Sequence, residues 1–517
     1  MVEYYSSGMI LRCSQIFIDA SIWIAFGCFI AAIFRYMIGA EKTRGLFGNQ
    51  SRFGLLIGWS IGMLLPVCSL GVIPVVRELH RAGVKPGTII AFGLTAPLFN
   101  PLSILYGLSL PDPFAVIIFS GAAMVIVTAV GAIWGKFFHG NEDTEPVAEE
   151  PLPANGVRRS MAVLHGASTE LSGWSLMYIA IGILASAAVA VSFEHGSLQG
   201  ETEPDKVFAP VFMAGYISPI YSTPLLAMSQ IGGMFQHGNS IGAAFALLVL
   251  GAGINVGVIC WFTSAFGLKR VCMFLLLLLT LTIGIAYAVE KPLYPEGVLP
   301  AGHTHAFDIY THPYPKSDSG LMEFAVNEAK EYSRDNAFGG PRLIFMMIVV
   351  GVLFRVIQMR WDLFAWYQKT TEGKKNSRLE VALPSWVVGV VSCVFLVVIS
   401  VIGTYVYYPN PRILLNDLSA LNTNCVMAAK TDDWEGVRKW VPYCDDLSRR
   451  LEVGLLLRDW SVSDFQRAKA RVYREKLNIV RDNIDAGQIS NIDAQAMELH
   501  QSYLQMSKAF RPQGLLE

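Results

Sequence analysis

The sequence PVCSLGVIP, residues 66–74, places two prolines, a glycine, a serine and a cysteine inside an apolar run. The stretch before it, GLLIGWSIGMLL at residues 54–65, has the composition of a transmembrane helix. A proline removes one backbone N–H donor and clashes with the preceding helical turn. Because the freed carbonyl groups are costly in hydrocarbon, such a break must face protein or a water-filled cavity. The stretch therefore predicts a broken membrane helix.

The whole chain has the composition of a polytopic membrane protein. Of its 517 residues, 53% are hydrophobic and 16% are charged, and the formal net charge is −1. An average soluble domain contains about 25% charged residues. The near-zero net charge, without a basic stripe, argues against a nucleic-acid partner. The apolar composition predicts that the lipid bilayer surrounds the chain.

About ten apolar runs have the length that spans a bilayer, so we predict an all-α polytopic membrane protein. The runs lie near residues 15–38, 53–82, 86–108, 113–137, 174–193, 207–235, 240–265, 270–289, 341–359 and 384–407. The expected organisation is a core at 1–290, an outer loop at 291–340 that contains histidines, two further membrane helices at 341–409 and a soluble helical domain at 410–517.

Lysine and arginine residues indicate which side of the membrane each loop occupies. The segment between the last two runs carries Arg360, Lys369, Lys374, Lys375 and Arg378 and is placed in the cytoplasm. The 291–340 loop and the C-terminal domain then lie on the periplasmic side of a bacterial inner membrane. Arg77, Arg81 and Lys85 do not fit a simple up-and-down count, so the topology of the first half stays open.

A second stretch, SPIYSTPLLAMSQIGGMFQHGNSIGAAFALLVLGAGINVGVI at residues 218–259, repeats features of the first. Pro66 precedes Ser69 by three residues, and Pro219 precedes Ser222 by three. Asn100 follows Pro66 by 34 residues, and Asn255 follows Pro219 by 36. We therefore predict two internal repeats, inverted or tandem, at about 15–137 and 174–289.

Duplicated broken helices at corresponding positions of two halves point to a transporter binding site. Serine and asparagine would donate hydrogen bonds to a solute, while proline and glycine leave carbonyl groups exposed. The alternative is that proline and glycine only mark kinks and close helix packing. The predicted substrate path consists of Pro66, Cys68, Ser69, Gly71, Asn100, Pro101, Pro219, Ser222 and Asn255.

The motifs LPVCSLGVIP (65–74) and AFGLTAPLFNP (91–101), with a counterpart near 214–255, resemble the YraQ-like predicted permeases, which include the ArsP-type organoarsenical efflux permeases. The resemblance covers roughly residues 15–290 and implies a membrane permease. In that family the first motif usually reads PxCSCG, and its cysteine pair is thought to engage a soft trivalent metalloid. Cys68 is present here, but Leu70 occupies the second cysteine position, which weakens the expectation of an arsenical substrate.

Cys68 has two interpretations. A thiolate is a soft ligand for copper(I), zinc or metalloid species. A lone thiol in apolar surroundings usually stays protonated and packs as a small hydrophobe.

Charged residues are absent from residues 53–76 and 207–235, which argues against an ion pump and favours a neutral or soft solute, or a carbonyl-coordinated ion. Asp19, Glu170 and Arg355 lie near the ends of runs, where interfacial positions are expected, although Glu170 could also supply a coupling-proton site. No Walker loop, nucleotide fingerprint or nucleophile elbow occurs, so neither ATP-driven transport nor an enzyme is expected.

The outer loop contains GHTHAFDIYTHPY at residues 302–314. His303 and His305 would share one face of an extended segment, with Asp308 and His312 nearby. Imidazole and carboxylate groups suit zinc or copper, so these four residues form a candidate metal site. Solvent-exposed or capping histidines are the alternative, and no other cofactor is expected.

The C-terminal domain has the pattern of a small helical bundle. Asp432, Ser463 and Asn491 are predicted helix N-caps, and Gly487 is a predicted C-cap. Cys425 and Cys444 could form a disulfide outside the cytoplasm.

Two functions remain possible at this stage. The preferred one is a secondary permease or efflux protein for a small solute, which includes a soft metal or metalloid species. The alternative is a non-transporting membrane scaffold that binds a protein partner or a second copy through its C-terminal domain.

Overall fold

In the computed structural model, α-helices and short turns form the described part of the chain, and no strand occurs within it. The all-α prediction is therefore confirmed. The residues that the structure describes are 2–48, 53–108, 110, 113–137, 153, 157–195, 197–198, 200–236, 238–294, 307–314, 320–336, 339–363, 367, 401, 404–405, 407–488 and 491–511.

Sixteen of the described helices precede the C-terminal domain. They are α1 (Val2–Ile33), α2 (Ala40–Leu46), α3 (Gly54–Leu64), α4 (Val72–Arg81), α5 (Pro86–Leu98), α6 (Pro101–Leu108), α7 (Pro113–Phe137), α8 (Val157–Glu170), α9 (Trp174–Ser192), α10 (Ala209–Ile217), α11 (Pro224–Gln236), α12 (Ile241–Ala246), α13 (Val256–Phe266), α14 (Leu268–Glu290), α15 (Leu321–Asn336) and α16 (Gly340–Gln358). Turns of π-helix at Phe34–Ile38 and Leu247–Ala252 continue α1 and α12.

Five described helices are long and apolar enough to cross a bilayer, and seven spans result if each of two bent helix pairs is one span. The sequence predicts about ten. The predicted runs at 53–82 and 207–235 are each divided into two short helices, α3 with α4 and α10 with α11. The run at 384–407 lies outside the described residues except for 401, 404–405 and 407.

The first membrane helix is longer than a bilayer is thick. The span Val2–Ile38 contains 37 residues, about 55 Å of helix, against a hydrocarbon core of about 30 Å. Tyr4 and Leu11 of α1 pack in one apolar cluster with Leu321 and Ala325 of the polar helix α15. We call the side on which residues 307–314 and α15 lie the outer side. The first half of α1 therefore extends beyond the hydrocarbon on this side.

The helix α8 lies between two of the predicted apolar runs, 113–137 and 174–193. It packs against α1 and α16, and a Cβ on Gly166 would lie 2.3 Å from the ring of Tyr36. Polar and apolar residues are mixed along α8, so its composition does not predict a membrane helix.

The chain folds into two compact units, residues 1–103 with 118–398 and residues 104–117 with 399–517. Four described helices lie wholly within the second unit: α17 (Pro411–Lys430), α18 (Trp434–Asp459), α19 (Asp464–Asp485) and α20 (Ile492–Phe510). Their apolar faces form one buried cluster. Within it, Arg474 and Glu452 form a buried ion pair at 2.5 Å.

The helix ends of this unit follow the predicted capping chemistry, with one correction. Ser463 forms a capping box with Gln466, and Gly487 follows α19 with a φ of +70°. Asp432 is not the N-cap of α18; the Asp433 side chain accepts the hydrogen bond from the Gly436 N–H at 2.9 Å. Asn491 occupies the N-cap position of α20 without a side-chain hydrogen bond.

Candidate functional site

The first break, residues 65–71, separates α3 from α4 and is buried throughout. Cys68 caps the start of α4. Its thiol accepts a hydrogen bond from the Gly71 N–H at 3.3 Å, and its carbonyl accepts one from the Val72 N–H at 2.8 Å. The thiol thus satisfies a backbone donor that the helix itself leaves unpaired.

Gly71 places the first break directly against α1. A Cβ on Gly71 would lie 2.4 Å from the carbonyl oxygen of Trp23, and a Cβ on Gly27 would lie 1.8 Å from the carbonyl oxygen of Gly71. Both neighbours are backbone atoms, which cannot rotate away. This position therefore requires glycine for close packing, in addition to its predicted place in the path.

The second break, residues 218–223, separates α10 from α11 in the same way. The helix before each break ends two residues before the proline, at Leu64 for Pro66 and at Ile217 for Pro219. Neighbouring elements hold the second break in place. The Ser186 hydroxyl of α9 accepts from the Tyr221 N–H at 2.9 Å, and the N–H of Ser222 donates to the Gly251 carbonyl at 3.1 Å.

The two predicted asparagines sit at a second pair of breaks. Asn100 lies between α5 and α6, and Asn255 lies between the π-turn after α12 and α13. The Asn100 side-chain oxygen accepts from the Ser103 N–H at 2.8 Å, and the Asn255 oxygen accepts from the Val258 N–H at 3.1 Å. Each asparagine is thus the N-cap of the helix that follows it, which repeats one local structure in both halves.

The breaks of the two halves meet beside α9. A Cβ on Gly182 of α9 would lie 2.6 Å from the Leu70 side chain and 3.0 Å from the Asn255 side-chain oxygen. A Cβ on Gly253 would lie 3.5 Å from the Leu98 side chain. All four breaks therefore converge on one region of the first unit.

At this convergence, Cys68 of the first repeat and Tyr221 of the second repeat occupy equivalent positions. Each follows the proline of its repeat by two positions. The Cys68 and Tyr221 side chains lie close together, and both are buried.

Several polar atoms at this convergence have no hydrogen-bond partner among the described residues. They are the hydroxyl oxygens of Ser69, Thr95 and Tyr221 and the amide nitrogen of Asn255, all in buried residues. A buried polar atom without a partner is unfavourable by about 1–3 kcal/mol. These atoms, in or near the breaks, could donate to or accept from a small bound molecule.

A charged cleft of about 380 Å³ opens at the C-terminal end of α1 and the N-terminal end of α9. Its charged and titratable lining residues are Arg35, Arg77, Glu78, His80, Arg81 and Glu170. Arg77 of α4 pairs with Glu170 at 3.0 Å, and the Ser175 hydroxyl donates to Glu170 at 2.7 Å. Glu170, the predicted coupling-proton site, thus forms an ion pair at the mouth of this inner cleft.

On the outer side, residues 307–314 cover the second break. The Tyr310 hydroxyl contacts the Ser222 hydroxyl at 2.9 Å and bonds to the Gln230 side chain. Tyr216 donates to the carbonyl of Tyr310. Burial raises the pKa of Tyr310, so its hydroxyl stays protonated and able to donate. We call residues 307–314 the outer plug.

Arg12 of α1 anchors the outer plug. Its guanidinium donates to the Thr311 carbonyl at 3.0 Å through Nε and also to the Asp308 carbonyl. Below the plug lies a cavity of about 20 Å³, with Asp19, Ser186 and Tyr221 among its lining residues.

Of the predicted metal ligands, His303 and His305 lie outside the described residues. His312 is fully buried against the Tyr4 ring, with ring centroids 3.5 Å apart. Its Nδ1 accepts from the Tyr314 N–H at 3.1 Å, and its Nε2 lies 2.9 Å from the Tyr4 carbonyl oxygen. Burial lowers the pKa of His312, so the ring stays neutral. Both nitrogens of His312 therefore serve the packing of the plug.

Asp308 uses its backbone carbonyl for the Arg12 contact. Within the described part of the chain, no group of three or more His, Cys, Asp and Glu side chains has a metal-binding arrangement. Zinc or copper binding at the loop stays a prediction.

Cys425 and Cys444, the predicted disulfide pair, are both free thiols in the structure. They lie in the same buried cluster of the C-terminal unit. Burial raises the pKa of both thiols to about 12, so they stay protonated at neutral pH. A protonated thiol is a poor nucleophile for disulfide exchange.

The model of the ArsP_1 predicted permease family matches residues 10–291, which is more than half of the chain. The chain belongs to this family. The family match and the apolar helices make it an integral membrane protein. The UPF0718 protein YcgR of Bacillus subtilis (strain 168) is similar, with 25% identity over 280 residues, or 53% of this chain and 92% of that protein. No solved structure matches the chain significantly.

The predicted permease family match includes all four breaks and ends before the outer plug, α15, α16 and the C-terminal unit. The path residues Pro66, Cys68, Ser69, Gly71 and Asn100 belong to the first repeat, and Pro219, Ser222 and Asn255 belong to the second. Pro101 is the first residue of α6. The sequence analysis does not identify Tyr221, Ser186 or Gly182 as site residues. Of the three, only Tyr221 could have been found from the repeat, because it follows Pro219 by two residues.

Proposed function

We propose that the chain is a secondary permease that moves a small solute through the point where the four breaks meet. The single observation that carries this proposal is the meeting of the two repeats, with Leu70 and Asn255 both against Gly182 of α9 and with Cys68 close to Tyr221. Non-helical backbone at membrane depth is tolerated only where it is buried in protein or lines a cavity. A binding site between broken helices of two repeats is the arrangement that secondary transporters use.

The path would run from the charged inner cleft, past the breaks, to the small outer cavity. Leu70, which touches Gly182, and Leu98, which touches Gly253, would close the path between the two openings. Rocking of one repeat against the other would separate these contacts and expose the solute to the opposite side. The tight contact of Gly71 with α1 makes the first break the fixed partner in this motion.

The solute proposed is small and either neutral or soft. The buried hydroxyls of Ser69 and Thr95 and the amide of Asn255 would bind it by hydrogen bonds. Cys68 would contribute one thiol, suited to a soft metal or metalloid species. Leu70 in place of a second cysteine makes two-thiol coordination at this motif impossible. Export is the direction proposed, from the large inner cleft toward the outer side.

The proposed location is a bacterial inner membrane, with the outer plug and the C-terminal unit in the periplasm. The inner cleft is rich in arginine, and Lys269 and Arg270 begin α14 beside it, which agrees with a cytoplasmic side.

The proposal is tested by flux into liposomes that contain the purified full-length chain. The solutes are a trivalent organoarsenical, a small organic thiol, copper(I) and zinc. Asn255→Ser keeps an N-cap acceptor and removes the amide nitrogen, so we expect a folded protein with flux at the level of empty liposomes. Asn100→Leu should also abolish flux.

Thr280→Val is the matched control. The Thr280 hydroxyl bonds only within α14 on an exposed face, at 2.7 Å from the Leu276 carbonyl, so its loss should leave flux unchanged. Wild-type protein that moves none of the four solutes, or an Asn255→Ser variant with full flux, would contradict the proposal.

A second function is favoured by one observation: residues beyond 291, including the four-helix C-terminal unit, lie outside the predicted permease family match. The chain would then be a membrane scaffold that binds a protein partner or a second copy through this unit. A stoichiometric partner that remains bound in detergent and is lost on deletion of residues 410–517 would support the scaffold.

A further inference from the structure

The membrane-spanning part of α1 carries one acidic side chain after Glu3, Asp19, which faces the second break. Counting back from Ile38, the end of the span, about 20 residues cross the hydrocarbon. Asp19 therefore lies at the outer end of the crossing segment. Together with Ile220 and Tyr221 of the second break, it lines the cavity below the outer plug.

The hydrogen bonds of Asp19 come from one neutral partner. The Tyr332 hydroxyl of α15 lies 2.9 and 3.1 Å from the two carboxylate oxygens. Within the described residues, no cation forms an ion pair with Asp19. Ionisable side chains at membrane depth usually pair with each other or mark an ion or proton pathway. Asp19 has no charge partner, so structural pairing does not explain it.

The titratable groups around Asp19 come from every element that packs near it. Arg12 lies on the same helix, but its guanidinium is bonded to Gln15 at 2.8 Å and to carbonyls of the outer plug. Tyr310 of the plug bonds to Ser222 and Gln230. Tyr221 of the second break faces Cys68. Together with Tyr332 of α15, the titratable neighbours of Asp19 are three phenols and one guanidinium. The guanidinium is already bonded to other groups.

The size of the cavity limits what Asp19 can bind. The cavity has a volume of about 20 Å³, and a single water molecule needs about 10–15 Å³. The cavity thus accommodates one water molecule. A metal cation needs several oxygen ligands, whereas Asp19 is the sole carboxylate among the described lining residues. A proton delivered through water is the ligand that fits.

We propose that Asp19 is the proton-binding site of the transport path, and that its protonation is coupled to movement of the second break. The carboxylate takes a proton from a hydronium ion that reaches the cavity from the outer side, which leaves a water molecule, and becomes a neutral acid. When the repeats rock, the acid returns the proton to water on the inner side, and the carboxylate re-forms. This inference rests on the proposed permease function, because the coupling requires a transported solute.

The first test needs no solute. Infrared titration of the full-length protein in lipid detects the carbonyl band of a neutral carboxylic acid. Because the chain has 41 Asp and Glu residues, the band of Asp19 is obtained as the difference between wild type and the Asp19→Asn variant. We expect this difference to contain such a band, which disappears as pH rises. Glu323→Gln on the exposed face of α15 is the control and should retain the band. Identical titrations of wild type and Asp19→Asn would overturn the proposal.

Tyr332→Phe gives a second, milder variant. It removes the hydroxyl that bonds to both Asp19 oxygens and leaves the carboxyl group in place, so the band should persist with a displaced midpoint. A midpoint equal to that of wild type would contradict the assigned contact.

The second test separates coupling from mere protonation. In liposomes, a pH gradient should drive accumulation of the solute that wild type moves, and Asp19→Asn should lose this accumulation while keeping equilibrium exchange. Full gradient-driven accumulation by Asp19→Asn would overturn the coupling. If wild type moves no solute at all, the permease proposal fails, and the infrared titration still decides whether Asp19 binds the proton.

Discussion

The first and second breaks have the same local structure, but different kinds of contact hold them in place. The first is fixed by its own residues: Cys68 caps α4, and Gly71 lies backbone against backbone on α1. The second is held by hydrogen bonds from other elements, from Ser186 of α9, the Gly251 carbonyl and Tyr310 of the outer plug. Such hydrogen bonds can be exchanged, whereas a close backbone contact cannot. The second break is therefore the one suited to move.

The largest expected effect is at the fixed break. Gly71→Ala places a Cβ 2.4 Å from the Trp23 carbonyl oxygen, and overpacking of this kind destabilises a protein by about 3 kcal/mol. Thermal unfolding in detergent should show a large loss. Gly253→Ala in the second repeat is the control, because its Cβ would meet Leu98 at an ordinary 3.5 Å. Equal stability of the two variants would remove the distinction between the breaks.

A smaller effect is expected where the repeats meet. Gly182→Ala places a methyl group 2.6 Å from the end of the Leu70 side chain, which can rotate. The stability loss should be about 1–2 kcal/mol, while solute flux should fall to the level of empty liposomes. Leu70 is fully buried, so Leu70→Ala alone is destabilising, but the double variant should lose less stability than the sum of the two single variants. Additive losses would show that Leu70 does not lie against Gly182.

Loss of the plug contact should be milder still. Tyr310→Phe removes the hydrogen bonds to Ser222 and Gln230, which should lower stability by about 1 kcal/mol and increase flux by loosening the outer closure. Tyr314→Phe is the matched control: it loses a hydrogen bond of 2.7 Å to Glu328, away from the break. Similar flux in both variants and wild type would contradict a gating role of Tyr310.

The smallest stability change is expected at Cys68. Serine can accept the same Gly71 N–H, so Cys68→Ser should change stability by less than about 1 kcal/mol, whereas Cys68→Ala loses the cap. Both variants should lose any bound soft metal or metalloid, as measured by elemental mass spectrometry. Undiminished metal in both variants would place the soft ligand elsewhere.

Much of this site could be predicted from the sequence, because it depends on local chemistry. Proline cannot continue a helix, and asparagine caps one, so Pro66, Pro219, Asn100 and Asn255 mark the breaks by residue type alone. Whether such a residue caps a helix depends on the backbone conformation of the residues that follow it. The apolar pattern of the sequence does not predict that conformation.

The rest could not be predicted, because it depends on contacts between segments far apart in the chain. Gly182 and Ser186 sit in an apolar helix with nothing to mark them, and Tyr310 reaches the second break from 88 residues beyond Ser222. From the sequence alone, Asp19 near the start of its apolar run is interpreted as an interfacial charge. Only the structure shows that α15 lies beside it.

Cross-linking of Cys68 to a Tyr221→Cys variant tests the central claim most directly, because the claim is that equivalent residues of the two repeats lie close together. Because the Tyr221 hydroxyl lies near Cys68 at the end of a long side chain, a direct disulfide is too short to join the two positions. A short bifunctional thiol reagent applied to the variant in membranes, followed by mass spectrometry of its peptides, should link positions 68 and 221. Val125→Cys, on an exposed face of α7, should give no such link. A folded Tyr221→Cys variant that forms no link to Cys68 would contradict the convergence of the two repeats.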